Sequence, residues 1–538
     1  MKDKVEQIVI VGGGTAGWLA ALFLDRALNS EPHHHVNITL IESSDIGTVG
    51  VGEATVPHLR DTFAYLGIDE DDWMVNCNAT FKAGIKFVNW TGLPENDVFW
   101  SPFEPFPSPE QLEAQIFNHL GKQQSSGGSL PFDFSCFKSV RLCEAKKSPK
   151  IGVESPYVGQ TSYAYHLDAG LLAAYLKQIA ISRGVKHIVG NVLDVALDKD
   201  GFISHLKMDL DVKLYGDLFI DCSGFQGLLI NKTLKEPFIS FSNFLPCDSA
   251  IAINAPYDVA SDKEIDPYTT ATALSSGWVW SIPLFNRRGT GYVYSSAFIS
   301  ATEAETEFRE HLGVRSYKAE AKHIKMRVGK NKNLWVKNCV SVGLAGGFIE
   351  PLESTGIYLI EIGMKYLSAY FPSRGFDPIL TNTYNAIMDT YYESIRDFIV
   401  MHYCMTNRED TPFWQHQKYE PILPETLKSK LESWRAIKLK KGLLVPSLAL
   451  FEGKAFGKYL HLCILAGMNY LPEPNLLSSS ISNAESANLE PKGGSDDALL
   501  GHYQYLSNLH QGNISAFRET FARLCAVCQP TATTQQQQ

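Results

Sequence analysis

The N-terminal stretch "EQIVIVGGGTAGWLAALFLDRAL" runs from a β-branched apolar segment through three glycines into residues with apolar side chains at helical spacing. "VNITLIES" then gives a second strand ending in Glu42. The pattern predicts strand, glycine turn, helix and strand, the beginning of a βαβ unit. Short β-like runs follow in mid-chain ("KHIVGNVLDVALD", "GFISHLKMDL", "DLFIDCSGF"), separated by turn residues as in an α+β insertion or second sheet. In "NCVSVGLAGGFIEPLESTGIYLIEIGMKYLSAY", Val340 to Val342 predict a strand, Gly343 to Gly347 a flexible turn, and Ile357 onward an apolar helix. From about Ile379 the periodicity becomes helical, as in "NTYNAIMDTYYESIRDFIVMHY" and "PETLKSKLESWRAIK". In "NATFKAGIKFVNW", alternation places Phe81, Ala83, Ile85 and Phe87 on one side of a single strand and Lys82, Gly84 and Lys86 on the other. Taken locally, that is a half-buried strand with a solvated lysine face.

The polar stretches "KQQSSGGSLP" and "SSSISNAESANLEPKGGSDD" predict long loops or linkers, and the "TATTQQQQ" end predicts disorder. No internal repeat is present. With 538 residues, 45% hydrophobic and 20% charged, the composition is that of a globular protein of several modules. The net charge of −10 is dispersed and no basic stripe interleaved with aromatics occurs, which argues against nucleic acid as a ligand. The N-terminus lacks the continuous apolar core of a signal peptide, and no apolar run reaches membrane-spanning length, so a cytoplasmic location is expected. Ten scattered cysteines fit reduced thiols. The single CxxC, Cys525 and Cys528, reads as a packed helix face rather than zinc, and His33 to His35 as a loop, so no metal site is expected.

Gly12, Gly14 and Gly17 form GxGxxG between the first strand and its helix, where backbone amides and the helix N-terminus can approach a pyrophosphate. Glu42, ending the second strand, is placed to accept from an adenosine ribose hydroxyl. FAD is favoured over NAD by "DLFIDCSGF", in which a strand delivers Asp221, Ser223 and Gly224 to a turn. At "ESTG", the start of the late apolar helix leaves amides that could bind a small anion or a flavin carbonyl; the alternative is that Ser354 or Thr355 only caps the helix.

Five pieces in order, "GGGTAGW", "GVGEATVP" (Gly50 to Pro57), "FKAGIKF", "GWVWSIPL" with Trp278 and Trp280, and "EPLESTGIY", resemble the flavin-dependent tryptophan halogenases along almost the whole chain. Gly343 is followed by Leu344, as in that family, where FAD hydroxylases usually carry an aspartate. The resemblance implies an α/β (α+β) fold with a Rossmann-like, monooxygenase-type FAD module, an additional sheet and a mostly helical substrate module. The expected division is 1–90 with 150–375 for FAD, an insertion at 91–149 contributing to the substrate site, and a helical module at 376–538 with a tail near 531–538. It also implies reduced FAD (FADH2) supplied by a separate reductase without a stable complex, together with O2 and halide, which would yield hypohalous acid.

On the family pattern, Gly12, Gly14, Thr15, Ala16, Gly17, Glu42, Leu344 and Ile357 would hold the cofactor, and Thr355 and Gly356 the halide. Lys82 would receive the oxidant, either hydrogen-bonding it or forming a haloamine, and Glu353 would orient the lysine or accept the proton lost from the arenium intermediate. A nearby carboxylate should keep Lys82 protonated, which favours the hydrogen-bonding ammonium. Lys86, without an assigned partner, is expected at the surface. WxWxIP would keep substrate from the flavin or simply pack the core.

Tryptophan-specific members sandwich indole with His-Pro-Phe, where this chain has Ser101, Pro102 and Phe103. Their acidic and aromatic C-terminal clamp has no counterpart in "FEGKAFGKYLHLCILAGMNYLPE". The expected substrate is therefore free indole or an indole derivative stacked on Phe103 and Pro102, with bromination at least as favoured as chlorination. The alternatives are a tryptophan halogenase proper, an FAD-dependent aromatic monooxygenase, and a flavin-binding protein without turnover. Neither nucleic acid nor membrane is an expected partner, and a homodimer is compatible with these features.

Overall fold

The computed structural model describes residues 4–30, 35–45, 47, 52–93, 97–104, 108, 112–116, 132–209, 212–257, 264–438, 440, 442–472 and 499–514. The linker near Ser478, the loop near Gln123, Cys525 and Cys528, His33 and His34, Gly50 and the C-terminal tail lie outside these residues.

The glycine-turn pattern folds as the sequence predicts. Gln7–Val11 is a strand, Thr15–Asn29 a helix and Asn37–Glu42 a second strand. They belong to a six-stranded sheet ordered Trp335–Val336, Cys339–Ser341, Leu218–Asp221, Gln7–Val11, Asn37–Glu42, Lys186–Val189, parallel except for its first hairpin. Val9 and Ile10, in its central strand, are buried from both faces, as a sheet covered on both sides requires. The helix Thr15–Asn29 packs on the helix Thr355–Ala369, and Gly343 lies between Ala16 of the first and Ile360 of the second.

A seven-stranded sheet runs Ala321–Lys325, Ser249–Pro256, Arg287–Tyr294, Gly277–Pro283, Thr269–Ala273, Gly84–Val88, Val98–Pro102. A three-stranded sheet joins Gly52–Ala54, Ala164–Asp168 and Thr80–Lys82. "FKAGIKF" is thus not one strand but two. The chain leaves one sheet after Lys82 and enters the other at Gly84, with Ala83 donating its N–H to Pro267 O and accepting from Phe103 N. The alternation held on both sides of the break, but the burial did not follow it, because Lys82 lies between two sheets and is fully enclosed.

Helices dominate after residue 378: Pro378–Cys404, Pro412–Tyr419, Glu425–Ala436 and Lys458–Gly467. The 27-residue helix Pro378–Cys404 is capped by Asp377, whose side chain accepts from Ile379 N, and proline at its start loses no helical hydrogen bond. Its C-terminal half is buried almost all round, from Ile395 to Cys404. Among the described residues no helix is long and apolar enough to cross a membrane, and the eight described cysteines are free thiols.

Candidate active site

Gly12 adopts φ +120°, and a Cβ there would lie 2.1 Å from Cys222 O, while one on Gly17 would lie 1.9 Å from Gly12 O. Both glycines are required by close backbone approach. Gly14 and Gly356 instead face open space. Two helix N-termini thus carry glycines beside which an added Cβ would meet no atom, as the close approach of a cofactor's phosphates or carbonyls requires, so the residues fit FAD. Thr15 Oγ1 donates to Ala169 O. Gly343, with φ +62°, places its Cα so close to Ala16 that a Cβ would come within 2.9 Å, which seats Leu344 beside the glycine turn, in the short 3-10 turn Gly343–Ala345. Ile357 is buried in the first turn of Thr355–Ala369. Glu42 Oε1 is engaged by Lys177 at 2.5 Å and stands 3.1 Å from His187, partners with no local signal in the chain. Its Oε2 lies against Gly13. Asp221 is occupied by its own loop, accepting from Ser223 N and Oγ, Leu229 N and Ile230 N, so it shapes the turn.

Lys82 is fully buried, and its Nζ donates to Thr55 O at 3.1 Å and Ser354 Oγ at 2.8 Å. Ser354 is held at φ +59° with no capping hydrogen bond, so the simple helix-cap reading of this serine fails. Its hydroxyl serves the lysine instead. Glu353 is buried beside the lysine but makes no direct hydrogen bond to it; Ser101 Oγ stands 3.5 Å from Glu353 Oε2, and His402 Nε2 stands 3.1 Å from Oε1. Burial outweighs the charge of Glu353 and pushes Lys82 down to about 7. The carboxylate therefore does not hold Lys82 at its ordinary value, and both the hydrogen-bonding ammonium and the free amine stay available to it near neutral pH. The ring of Phe103, centred 5.0 Å from Nζ, offers an ammonium only about 0.5–2 kcal/mol.

Lys86 also differs from expectation. It is not a solitary surface residue but pairs with Glu144 at 2.7 Å over the rings of Trp100 and Tyr268. Trp278 donates to Glu350 Oε1 at 3.0 Å, which Tyr403 OH also reaches at 2.7 Å. The WxWxIP strand is thereby tied to the loop that carries Glu353, and burial pushes Glu350 up to about 7.

A cavity of about 490 Å³ opens beside these groups, lined by Glu353 and Thr355 together with Pro102, Phe103, Phe137, Tyr358, Phe456, Tyr459 and Leu460. Neither Trp278 nor Trp280 lines it. No lysine or arginine occurs among its described lining residues; the one basic side chain, His58, holds Glu361 at 2.5 Å through Nδ1. A cleft of about 510 Å³ near Glu303 and Glu307 shares none of these residues.

A buried carboxylate and an anion-compatible helix start that line one aromatic cavity, with a buried lysine beyond the ring of Phe103, can handle an electrophile and a proton. The sequence model for tryptophan halogenases matches residues 7–480. The chain belongs to the tryptophan halogenase family. It is a flavin-dependent halogenase, an enzyme using reduced flavin, O2 and halide. The halogenase is 38% identical over 529 residues to the 7-chloro-L-tryptophan 6-halogenase KtzR of Kutzneria sp. (strain 744), covering 93% of this chain and 99% of that relative. It is 37% identical to the tryptophan 7-halogenase RebH of Lentzea aerocolonigenes, covering 95% and 98%. Among solved structures, Tar14, a tryptophan C-6 flavin-dependent halogenase from taromycin biosynthesis, superposes with a TM-score of 0.79 at 37% identity, covering 95% and 97%. Family members draw reduced flavin from a separate reductase.

Two site residues escaped sequence reasoning, Ser354 as the lysine's partner and His402 as the carboxylate's neighbour. Ser354 sat inside a quoted motif, whereas His402 lies on a distant helix with no local signal. Ser354→Gly keeps the left-handed backbone and removes the hydroxyl. A roughly tenfold fall in kcat, matching a lost hydrogen bond of about 1.5 kcal/mol, is expected with no loss of melting temperature.

Proposed function

We propose that this halogenase transfers oxidised halogen to free indole or a simple indole derivative by electrophilic aromatic substitution, with bromide used at least as readily as chloride. The observation that supports this reading is the cavity itself: aromatic and apolar walls, two carboxylates in Glu104 and Glu353, and no lysine or arginine among the described residues to receive an amino-acid carboxylate. A zwitterionic substrate would have little to hold it, while a neutral ring is stabilised by stacking on Phe103. Bound FAD, held by Gly12, Gly14, Thr15, Ala16, Gly17, Glu42, Leu344 and Ile357, supplies the oxidising chemistry.

Thr355 and the open backbone at Gly356 bind the halide at the helix N-terminus. Lys82 then receives the halogen and directs it to the ring, and Glu353 takes the ring proton. Incubation with a reductase, FAD, NADH, each halide in turn and a panel of indoles, read by mass spectrometry and steady-state kinetics, tests the assignment. A higher kcat/KM for indole than for tryptophan is expected; a clear preference for tryptophan overturns it. A product gaining oxygen when both halides are withheld would instead indicate ring oxygenation.

A further inference from the structure

His58 opens the short helix His58–Tyr65 and lines the aromatic cavity, with its side chain 27% exposed and so within reach of a ligand there. It meets the helix Thr355–Ala369, on which Thr355, Tyr358 and Glu361 follow one another at intervals of three residues and therefore share one side. Thr355 and Tyr358 line the cavity, and Glu361 is buried. His58 Nδ1 stands 2.5 Å from Glu361 Oε2, and Thr62, one helical turn after His58, donates its hydroxyl to the same oxygen at 2.8 Å. Tyr358 packs edge-on against the imidazole, the ring centres 5.4 Å apart. The ring is held at one nitrogen and braced by a neighbouring aromatic.

Burial pushes the Glu361 carboxyl up, and the hydrogen bonds from His58 and Thr62 act against that. An oxygen that already accepts from a hydroxyl accepts from Nδ1 as well, so the proton between them belongs to the imidazole. A buried pair of this kind adds little net stability, because desolvation offsets most of the attraction. What it does supply is a fixed orientation and a fixed tautomer. With Nδ1 protonated, Nε2 is left as an acceptor, and it has no hydrogen-bond partner among the described residues. The acidic groups of the same cavity are already engaged: Glu104 Oε2 accepts from Ser139 N at 2.7 Å, and Glu353 is assigned the proton lost from the ring carbon. An indole entering this cavity brings one polar hydrogen, on its nitrogen, which is costly to bury without an acceptor.

We propose that His58 binds the ring N–H of the substrate through Nε2, and that Glu361 is the positioning residue holding the imidazole in the tautomer able to accept it. This deepens the indole reading above and rests on it, since it names the hydrogen that the site recognises. It also explains how a histidine lines the cavity without offering a cation to an amino-acid carboxylate. Any positive charge on His58 is met by Glu361.

The test compares kcat/KM for indole with that for 1-methylindole, which has the same ring and no N–H, in the full-length enzyme with its reductase, FAD and bromide. The wild type should favour indole. In His58→Phe that preference should fall by roughly tenfold, the worth of one lost hydrogen bond, because only indole loses a partner. In Glu361→Gln the amide can donate to Nδ1 while its oxygen keeps the bond from Thr62, which moves the imidazole proton to Nε2 and removes the acceptor. The same fall is expected there, and this nearly isosteric variant decides the matter if the phenylalanine variant does not fold. A loss of equal size on both indoles, or an unchanged preference, overturns the proposal. So does a loss confined to indoles that carry a carboxylate, which would show His58 acting as a cation. A wild-type preference for tryptophan over indole is a separate result, visible before any variant is made, and it overturns the substrate reading on which the proposal rests.

Discussion

Lys82→Met should abolish halogen transfer, by roughly 10³-fold or more, and should raise the melting temperature of the same protein by several degrees. Reduced-flavin binding and oxygen consumption should be retained. The two effects have one origin. Lys82 is buried away from water and no carboxylate hydrogen-bonds to it, so the folded protein depresses its affinity for a proton from 10.5 to about 7. Between those values the unfolded chain binds the proton and the folded protein does not. The destabilisation is therefore fully present below pH 7 and fades as the pH rises to 10.5. At neutral pH it amounts to on the order of 3–5 kcal/mol. Methionine fills the same space without a charge. It leaves the Thr55 carbonyl unpartnered, at a cost of about 1–3 kcal/mol, which does not cancel the gain. Thermal melts at pH 6 and pH 9 check the argument, since the advantage of the variant should be larger at the lower pH. Equal stability of the two proteins at pH 6 would contradict it, and halogenated product from the variant would remove the role proposed for Lys82.

Glu70→Gln should do the opposite, destabilising the protein by about 3–5 kcal/mol and leaving the chemistry of any folded fraction unchanged. Glu70 is completely buried and takes hydrogen bonds from Lys150 Nζ at 2.6 Å, Tyr157 N at 2.5 Å, Tyr163 OH at 2.6 Å and Tyr165 OH at 2.7 Å. Lys150 is as enclosed as Lys82. Without the carboxylate a buried ammonium loses the ion pair at 2.6 Å, and the tyrosines lose a shared acceptor. Denaturant titration, with kcat measured on the native fraction, separates the two variants: one trades activity for stability and the other loses stability alone. An unchanged denaturation midpoint would show that the pair contributes nothing.

The contrast between these two lysines marks what the sequence could and could not convey. The βαβ start was legible because glycine spacing and apolar period are local properties, and Gly12 and Gly17 sit where only glycine fits. The late helix and the long helix from Pro378 were legible for the same reason. Lys82 was singled out by a family pattern, yet its protonation depends on which acceptors close around it, and Thr55, Ser354 and Glu353 lie far from it in sequence. The same holds for Lys86, whose partner Glu144 is 58 residues away. His402, further still, offered no motif at all. Asp221 was legible as a strand end delivering a turn, and its carboxylate accepts from that turn's own amides and hydroxyl.

The break at Ala83 has a consequence for anyone wishing to redirect this enzyme. With Lys82 ending one sheet, Gly84 beginning another, and the intervening residue bonded on both its N–H and its carbonyl, the reagent-bearing backbone is anchored on two sides. On the role proposed for Lys82, regiochemistry would be governed by how the ring is turned against a donor whose backbone is fixed. Laboratory evolution aimed at a new ring position should find its productive changes at Phe456, Tyr459 and Leu460, and few near the lysine.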